Sequence, residues 1–283
     1  MIKNLSIVIV TYNPDYNVLN RCLDSIIDNL DIYIIDNSEN LNHELINNFS
    51  KKKIKIVKSK NLGNGYGINL GIKLSTTKYI LYLDVDTILT DNFIDDLLVH
   101  IKKISDFGVI GPALQGYQYN KEAFLKKSHI DDNYFEMNFI QGAIMLINKE
   151  KIIENNISFD ENIFLYWEEI DFYFQCNQKK LKIFLVNNLI GYHKGGSSIN
   201  KIIYEDIELN RNWHYMWSKF YYYKKNFGIY IAYKKTIAHF IKSIIKYTLY
   251  TIVKNPKKKI YFERLSGLFN SYLGKNSWRR PKP

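Results

Sequence analysis

Short apolar runs alternate with stretches of helical spacing through the first hundred residues. The runs predict four strands, at residues 5–10, 32–35, 54–58 and 79–83. Between the first two runs, and again at residues 67–74, apolar side chains recur every three or four positions, which predicts helices. Strands with little polar alternation that are separated by helices are typical of parallel β-α-β units. We therefore predict an α/β sheet with helices on both faces.

The second half of the chain is less regular. It predicts short strands at residues 108–112, 139–147, 183–186 and 190–193. Helices are predicted at residues 149–155 and around 171–177, and the polar stretch 115–133 predicts a loop. Residues 199–227 are rich in Tyr and Trp at helical spacing, so the chain is expected to end in helices.

Charge separates the last 65 residues from the rest. Residues 219–283 contain 16 Lys and Arg and one acid, whereas the preceding 218 residues contain 23 basic and 27 acidic side chains. An apolar stripe runs along residues 237–252, with Lys235, His239, Lys242 and Lys246 opposite, which predicts a basic amphipathic helix. We predict that this segment lies on an anionic membrane surface. Packing on the rest of the chain or on a second subunit is the alternative.

Composition and the first residues limit the class of protein. With 46% hydrophobic and 24% charged residues among 283, the chain is expected to form one large domain with an appendage. Cys22 and Cys176 cannot form a disulfide framework, which favours a reducing compartment. The apolar run 6–10 is followed by Thr11 and Tyr12 instead of a cleavage site, so we predict a strand and no signal peptide. We also predict no transmembrane helix.

Two carboxylates follow the fourth predicted strand. Asp84 and Asp86 stand at i and i+2, at the strand end where open α/β sheets bind ligands. Two such side chains can hold one divalent cation, and oxygen ligands favour Mg²⁺ or Mn²⁺. The alternative is an ordinary turn with two exposed acids. The position after a buried strand favours the metal site, which would neutralise a diphosphate leaving group.

Polar side chains also end the first two strands. Thr11 and Asn13 follow the first, and Asp36 follows the second. Each alone is explained by turn formation. Together with Asp84 they predict one crevice, in which Asp36 accepts a hydrogen bond from a pyrimidine and Thr11 and Asn13 contact base or ribose.

The glycine-rich stretch 61–69 opens a predicted helix. It has Gly63 and Gly65 in dinucleotide-fingerprint spacing, but Ile68 stands where the third glycine belongs, and it follows a later strand than the first. A dinucleotide site is therefore disfavoured. Close approach of the backbone to a nucleotide is the preferred interpretation.

Two further segments carry chemistry. Glu168, Glu169 and Asp171 follow Trp167, and one of these carboxylates could act as general base toward a hydroxyl, although acids also favour a helix N-terminus. His193 precedes a Gly- and Ser-rich loop, where it could bind a metal or contact a phosphate, although a lone His is more often structural.

The order of these segments resembles the family 2 glycosyltransferases of GT-A fold, and within them the rhamnosyltransferase-like branch of bacterial surface-polysaccharide assembly. The resemblance covers about residues 5–227. Seven motifs in order carry it, at residues 6–14, 35–38, 61–69, 83–86, 139–143, 164–171 and 193–197.

The resemblance implies a role for individual residues. The implied nucleotide contacts are Thr11, Asn13, Asp36, Asn61, Gly67 and Asp84. The implied metal ligands are Asp86, Asp84 and His193. Acceptor contacts are assigned to Gln141, Gly142, Trp167 and Asp171. The family usually has Glu-Asp where this chain has Glu168-Glu169, so Glu169 inherits the role of catalytic base and Glu168 stays open as the alternative.

These implications combine into one expectation. We expect a GT-A catalytic domain over residues 1–200 and a helical, basic, membrane-associating extension over residues 201–283. The expected activity is metal-dependent, inverting transfer of a sugar, rhamnose first, from a nucleoside diphosphate to a lipid-linked or growing bacterial surface glycan. Mn²⁺ or Mg²⁺ is the expected cofactor. The expected location is the cytoplasmic face of the plasma membrane, without a nucleic acid partner, and homo-oligomerisation stays open.

Other functions remain as alternatives. A UDP-hexose or UDP-N-acetylhexosamine is the second choice of donor. A nucleotidyltransferase also pairs Asp residues with magnesium, but residues 11–16 contain no Lys or Arg for a phosphate loop. A non-catalytic sugar-nucleotide-binding protein is disfavoured by the intact acids.

Overall fold

A computed structural model describes residues 2–38, 52–104, 106–115, 126–129, 133–195 and 204–281. The chain divides into two compact units. The N-terminal unit comprises Met1–Leu62, Tyr66–Phe159 and Phe172–Asn200. The C-terminal unit comprises Gly63–Gly65, Asp160–Asp171 and Lys201–Pro283. Two short segments from the first 200 residues thus belong to the unit that contains the C-terminal helices.

The first half of the N-terminal unit follows the predicted β-α-β pattern. After a 3₁₀ turn at Ile2–Asn4, the chain forms β1 (Leu5–Thr11), α1 (Tyr16–Asp24), β2 (Asp31–Asp36), β3 (Lys53–Lys58), α2 (Asn64–Leu74) and β4 (Tyr79–Leu83). The Asp15 carboxylate caps α1 by accepting hydrogen bonds from the backbone of Asn17 and Val18. Strands β3, β2, β1 and β4 are parallel neighbours in that order, so the predicted strands and their parallel pairing are confirmed.

The second half turns the sheet into a mixed one. It forms β5 (Thr87–Leu89), α3 (Phe93–Lys103), β6 (Val109–Gln115), β7 (Lys126–His129), β8 (Tyr134–Met137), β9 (Ile144–Asn148), α4 (Lys149–Glu154), α5 (Glu168–Gln178) and β10 (Ile183–His193). The full strand order is β3-β2-β1-β4-β9-β6-β10-β8-β7, with β5 paired to the end of β10. The predicted α/β fold class, with a GT-A sheet, is confirmed, and the antiparallel pairs of β9 make the sheet mixed.

Several predicted boundaries were wrong. The stretch 139–143 is irregular because the chain turns there before β9. The two strands predicted at 183–186 and 190–193 are one strand, β10, with a register shift after Val186. The polar stretch 115–133 contains β7, whereas residues 116–125 and 130–132 lie outside the described part of the chain. Strands β5 and β8 are too short to leave a hydrophobic pattern.

Two hydrophobic clusters cover the two faces of the sheet. Alternate residues of β1 divide between them: Ile7 and Ile9 belong to one cluster and Val8 to the other. The same alternation recurs in β2 and β4, as expected for strands that are buried on both faces. Burial on both sides fixes the register of the central strands, because a one-residue slip would exchange the two faces.

The C-terminal unit is built on three helices, α6 (Tyr204–Phe227), α7 (Ile229–Ile252) and α8 (Lys258–Tyr272). Helix α8 lies in the extension that was expected to be helical, but its bounds were not predicted from the sequence, since its hydrophobic spacing is weak. It approaches α6 closely at Gly267, where an added Cβ would lie 2.3 Å from the carbonyl oxygen of Trp213. Within the described residues, no helix is long and apolar enough to cross a membrane.

The apolar stripe of α7 faces outward. The residues that α7 buries are small: Ala232, Thr236 and Ser243. By contrast, Ile241 and Ile245 are each about half exposed. Of this stripe, Phe240 packs against the cluster of Met216, Phe220, Ala232 and Leu268, whereas most of its other side chains are exposed.

Candidate functional site

Asp84, Asp86 and His193 form a cluster in the N-terminal unit. Their ligand atoms all lie within 4.8 Å of one another, and His193 Nε2 is 3.2 Å from Asp86 Oδ1 and 3.8 Å from Asp84 Oδ2. The two acids follow β4, and β5 begins directly after them. Because β5 pairs with the end of β10, His193 lies opposite Thr87 and beside the acids. The sheet therefore joins residues that are more than a hundred positions apart.

Hydrogen bonds orient this cluster. Tyr82 donates to Asp84 Oδ1 at 2.6 Å, and Thr87 Oγ1 donates to the Asp84 carbonyl at 2.7 Å. Gln141 Nε2 lies 3.2 Å from His193 Nδ1. Burial would lower the pKa of His193, but the hydrogen bond to Asp86 and the negative charges of both acids outweigh it, so the pKa is raised. Two carboxylates and an imidazole this close together are a suitable donor set for a divalent metal.

The ends of β1 and β2 place acceptor atoms at the same edge of the sheet. Asp36 is fully buried, and its Oδ1 accepts hydrogen bonds from the Ser38 backbone at 2.8 Å and from Thr11 Oγ1 at 3.4 Å. Among the described residues, neither Asp36 Oδ2 nor Asn37 Oδ1 has a partner. Buried acceptors without partners are costly, so this edge is suited to a ligand with N–H or O–H donors. Asn13, at φ 42°, donates its N–H to Ser38 Oγ.

The glycine-rich stretch contributes to both units. Asn61 lies in the connection between β3 and α2. Gly67 lies in the first turns of α2, where a Cβ would meet Val10 Cγ1 at 2.7 Å, so only glycine lets this helix approach β1. Gly63, at φ 116°, is pressed against the Phe164 backbone in the C-terminal unit, where a Cβ would lie 2.5 Å from the Phe164 oxygen.

The acidic segment is preceded by two strained residues. Tyr166 and Trp167 have φ values of 62° and 73°, a region that bulky side chains rarely adopt. Helix α6 holds this turn in place: Ser218 Oγ donates to the Leu165 carbonyl at 2.9 Å, and the Trp167 ring contacts Tyr222 and Tyr223. Backbone strain of this kind persists where the surroundings enforce it, and it is frequent at functional sites.

The two candidate bases differ in their surroundings. Glu168 is 4% exposed, and its Oε1 accepts a hydrogen bond from Asn64 Nδ2 at 3.1 Å. Glu169, the next residue on α5, is partly exposed. Glu168 thus ties the acidic loop to the glycine-rich segment, and Glu169 is the more accessible carboxylate.

Asp171 is fully buried beneath this loop. Its Oδ2 lies 2.8 Å from Lys225 Nζ, and its Oδ1 accepts from Asn226 Nδ2 at 2.8 Å. Lys225 also pairs with Asp160 at 2.7 Å. Burial acts against the charges of Lys225 and Asp160, but their mutual hydrogen bond dominates, so the pKa of Lys225 is raised and that of Asp160 is lowered.

The remaining candidates have simpler positions. Gly142 lies in the turn before β9 and is partly exposed, next to Gln141. Tyr82, Asn64 and Lys225 were not singled out from the sequence. Tyr82 is a buried β4 residue whose hydroxyl donates to Asp84, and nothing in the run of buried residues 80–83 distinguishes it.

Two curated relatives of this chain are glycosyltransferases. Over 175 residues the chain is 27% identical to the poly(ribitol-phosphate) β-N-acetylglucosaminyltransferase TarP of Staphylococcus aureus, covering 54% of this chain and 51% of TarP. It is 26% identical to the glycosyltransferase GlyA of Streptococcus pneumoniae over 140 residues, covering 47% of this chain and 20% of GlyA. The chain thus spans about half or less of the length of these two relatives.

Solved structures show the same fold at low identity. S. aureus TarS residues 1–349, in complex with UDP-GlcNAc, matches with a TM-score of 0.57 at 12% identity, over 96% of this chain and 92% of that one. GalNAc-T7 with UDP, GalNAc and Mn²⁺ matches with a TM-score of 0.54 at 17% identity, over 67% and 43%. The model of the Glycosyl transferase family 2 matches residues 6–207. With strand-end acids, a mixed GT-A sheet and a family match over most of its length, the chain belongs to glycosyltransferase family 2.

Proposed function

We propose that this protein transfers a sugar from a nucleoside diphosphate sugar to a hydroxyl of a bacterial surface glycan. The cluster of Asp84, Asp86 and His193 carries the proposal, because it unites three metal-ligand side chains at the carboxyl end of a parallel strand. These residues would hold a divalent cation, which stabilises the negative charge of a departing diphosphate when bound. The unpartnered acceptors of Asp36 and Asn37 would take the N–H groups of the nucleotide base.

A carboxylate among those that follow Trp167 activates the acceptor hydroxyl. We assign this role to Glu169. Its carboxylate takes the proton of the acceptor hydroxyl while the hydroxyl oxygen attacks the anomeric carbon of the donor sugar. The C–O bond to the diphosphate breaks as the new one forms, so the configuration inverts and no covalent enzyme intermediate is needed. Glu168 is assigned to positioning through Asn64. Asp171 is assigned to supporting the loop, since its carboxylate is occupied by Lys225 and Asn226.

The donor tested first is UDP-N-acetylglucosamine. The name of TarP specifies an N-acetylglucosaminyl group, which favours the UDP-N-acetylhexosamine alternative. The rhamnose expected from the sequence resemblance stays a prediction. A donor with a uracil base suits the Asp36 carboxylate, which would accept the pyrimidine N–H.

The exposed stripe of α7 supports membrane association of this activity. Ile241, Ile245 and Leu249 are each about half exposed, and Lys242 and Lys246 lie on the same helix. An apolar face bordered by lysines is the pattern of a helix that lies in an anionic membrane interface. We propose this surface as the place where the protein meets a lipid-linked acceptor.

Donor binding and donor hydrolysis test the proposal together. Thermal unfolding is followed with UDP-GlcNAc, UDP-galactose and a thymidine-diphosphate sugar, each with Mn²⁺, with Mg²⁺ and with EDTA. The right donor raises the unfolding temperature only with metal, because ligands that bind the folded state stabilise it by mass action. Slow release of the nucleoside diphosphate then distinguishes an enzyme from a binding protein. Release of pyrophosphate from a nucleoside triphosphate would instead indicate a nucleotidyltransferase.

A further inference from the structure

A cavity lies entirely within the C-terminal unit. It has a volume of about 490 Å³, within the range of small-molecule sites. Its wall is formed by the loop ahead of α5, by the last turns of α6 and by the residues that follow α8. Neither the metal cluster nor the two candidate bases line it, so the proposed chemistry leaves its purpose open.

Cationic side chains dominate the wall. Lys224, Lys225, Lys275 and Arg280 line the cavity, against the single acid Glu161. Lys225 is neutralised by Asp160 and Asp171. Among the residues that the structure describes, the other three cations form no ion pair. The cavity is therefore electropositive, and it is suited to a ligand that carries negative charge.

Helix ends explain only part of this charge. Lys224 lies in the last turn of α6, where a cation interacts favourably with the helix dipole. Lys275 follows α8 by three residues. Arg280 lies a further five residues along the chain, outside α8.

Arg280 is held in a fixed orientation. Its guanidinium lies 4.0 Å from the centre of the Phe164 ring, and its Nη1 donates to the carbonyls of Ser277 at 2.7 Å and Arg279 at 2.9 Å. Burial lowers the pKa of Arg280. Its Nε and Nη2 donors have no protein partner among the described residues. A guanidinium anchored in this way presents a planar fork of donors that matches a phosphate.

Aromatic side chains held by hydrogen bonds also line the cavity. The rings of Trp217 and Tyr221 are stacked with their centres 5.0 Å apart. Trp217 Nε1 donates to the Lys275 carbonyl at 3.0 Å, and Ser271 Oγ donates to the Trp217 carbonyl at 3.0 Å. The cavity thus combines anchored donors for an anion with a flat apolar surface for a ring or carbon chain.

We propose that this cavity binds a phosphate-bearing unit of the acceptor glycan, an inference that rests on the proposed function. The chain itself connects the cavity to the proposed base. Glu161, Asn162 and Phe164 line the cavity, and the same loop continues into Glu168 and Glu169. Five residues span at most about 18 Å, so a polymer held at Phe164 is within a few repeat units of Glu169.

Calorimetric titration of the full chain tests this site. Glycerol 3-phosphate is the probe, glycerol is its uncharged match, and EDTA is present so that no metal bridges phosphate elsewhere. We expect saturable binding of glycerol 3-phosphate, no binding of glycerol, and weakening as salt rises. The double variant Lys224→Gln/Lys275→Gln should raise the dissociation constant at least about tenfold, since each lost charge-assisted bond is worth that much or more. Lys234→Gln, an exposed charge on α7, is the matched control.

A second variant separates loss of binding from loss of folding. Arg280→Lys keeps the charge but removes the planar fork of donors. It should therefore weaken binding of glycerol 3-phosphate while retaining the wild-type unfolding temperature. Equal affinity of the wild type and the double variant, or no binding of the probe at all, would overturn the proposal.

Two further ligands separate the sources of phosphate. Inorganic phosphate that binds as tightly as glycerol 3-phosphate would make this a free-phosphate site, and binding seen only with phosphatidylglycerol vesicles would make it a headgroup site. Either result overturns the acceptor assignment. Wild-type protein that binds the probe but never hydrolyses a nucleotide sugar would refute the proposed function, and with it the acceptor assignment, while leaving the phosphate site intact.

Discussion

The two units position their functional groups in different ways. In the N-terminal unit, Thr11, Asp36 and Asp84 stand at the ends of neighbouring strands whose register is fixed by ladders of backbone hydrogen bonds. In the C-terminal unit, Glu168 and Glu169 follow a turn in which Tyr166 and Trp167 are strained. The sheet places its groups by regular structure, and the helical unit places them by side-chain contacts against an unfavourable backbone.

This difference has an energetic consequence. A non-glycine residue in the left-handed region costs on the order of 1–3 kcal/mol, and two occur in succession here. Contacts from α6, among them Ser218 to Leu165 and the ring of Tyr222 against Trp167, offset that cost. Substitutions in α6 that remove these contacts are therefore expected to displace the proposed base, Glu169. Substitutions far from the sheet edge should leave the metal cluster intact.

The largest effect is expected at the strand-end cluster. Asp86→Ala removes a carboxylate that lies 3.2 Å from His193, so metal-dependent donor binding and sugar transfer should both fall below detection. Circular dichroism should remain that of the wild type, because the sheet register does not depend on this side chain. The control is Asp95→Ala, an exposed acid on α3. Full transfer by the wild type in EDTA would refute the metal assignment.

The next effect separates the two glutamates of the strained loop. Glu169→Gln is nearly isosteric and should reduce turnover by about 10²–10⁴-fold, the usual contribution of a positioned acid–base group, with donor affinity little changed. Glu168→Gln should mainly lower donor affinity and stability, because it weakens the hydrogen bond that Glu168 accepts from Asn64. Single-turnover rates and donor titrations distinguish the two. If Glu168→Gln is the variant that loses turnover, the base is Glu168.

The helical unit should lose stability in acid. Burial, assisted by the charges of Arg280 and Arg279, lowers the pKa of His214 to about 3. In the unfolded chain this histidine takes up its proton near pH 6.5, so its effect on stability is absent above that pH and grows as the pH falls toward 3. Each pH unit in that window costs up to about 1.4 kcal/mol.

Urea unfolding at pH 7.5 and pH 5 measures this effect. The wild type should lose more free energy of unfolding between the two values than His214→Gln, which has no titrating ring. His214 also hydrogen-bonds the Arg279 carbonyl and Ser277 Oγ, so the variant should be less stable at both values. The test is therefore the loss of unfolding free energy between pH 7.5 and pH 5, compared between the two proteins. An equal loss in both would contradict the prediction.

The smallest effect concerns the exposed stripe of α7. Lys242→Gln/Lys246→Gln should weaken sedimentation with anionic vesicles by about 2 kcal/mol, roughly 1 kcal/mol for each lysine near the surface, and less at high salt. Ile241→Ser/Ile245→Ser should weaken it through lost apolar burial. Neutral vesicles are the control. A dimer in solution that ignores anionic vesicles would instead assign this face to a second copy of the chain.

The sequence alone determined the strand-end half of the site. Buried strands appear as continuous apolar runs, and their carboxyl ends share one edge, so Asp36, Asp84 and Asp86 could be located without coordinates. The family was predicted in the same way, from short motifs in a fixed order, and the match over residues 6–207 confirms it.

Only the tertiary structure decided the rest. The family resemblance implied His193 as a metal ligand, but the pairing that brings it to Asp86 depends on β5, a strand of three residues without a readable pattern. The different surroundings of Glu168 and Glu169 depend on Asn64, more than a hundred residues away. The strain at Tyr166 and Trp167 and the cationic cavity beside Phe164 arise where helices pack on a loop. Local sequence encodes hydrophobic periodicity and secondary-structure propensity. These features instead come from contacts between segments that are far apart in the sequence.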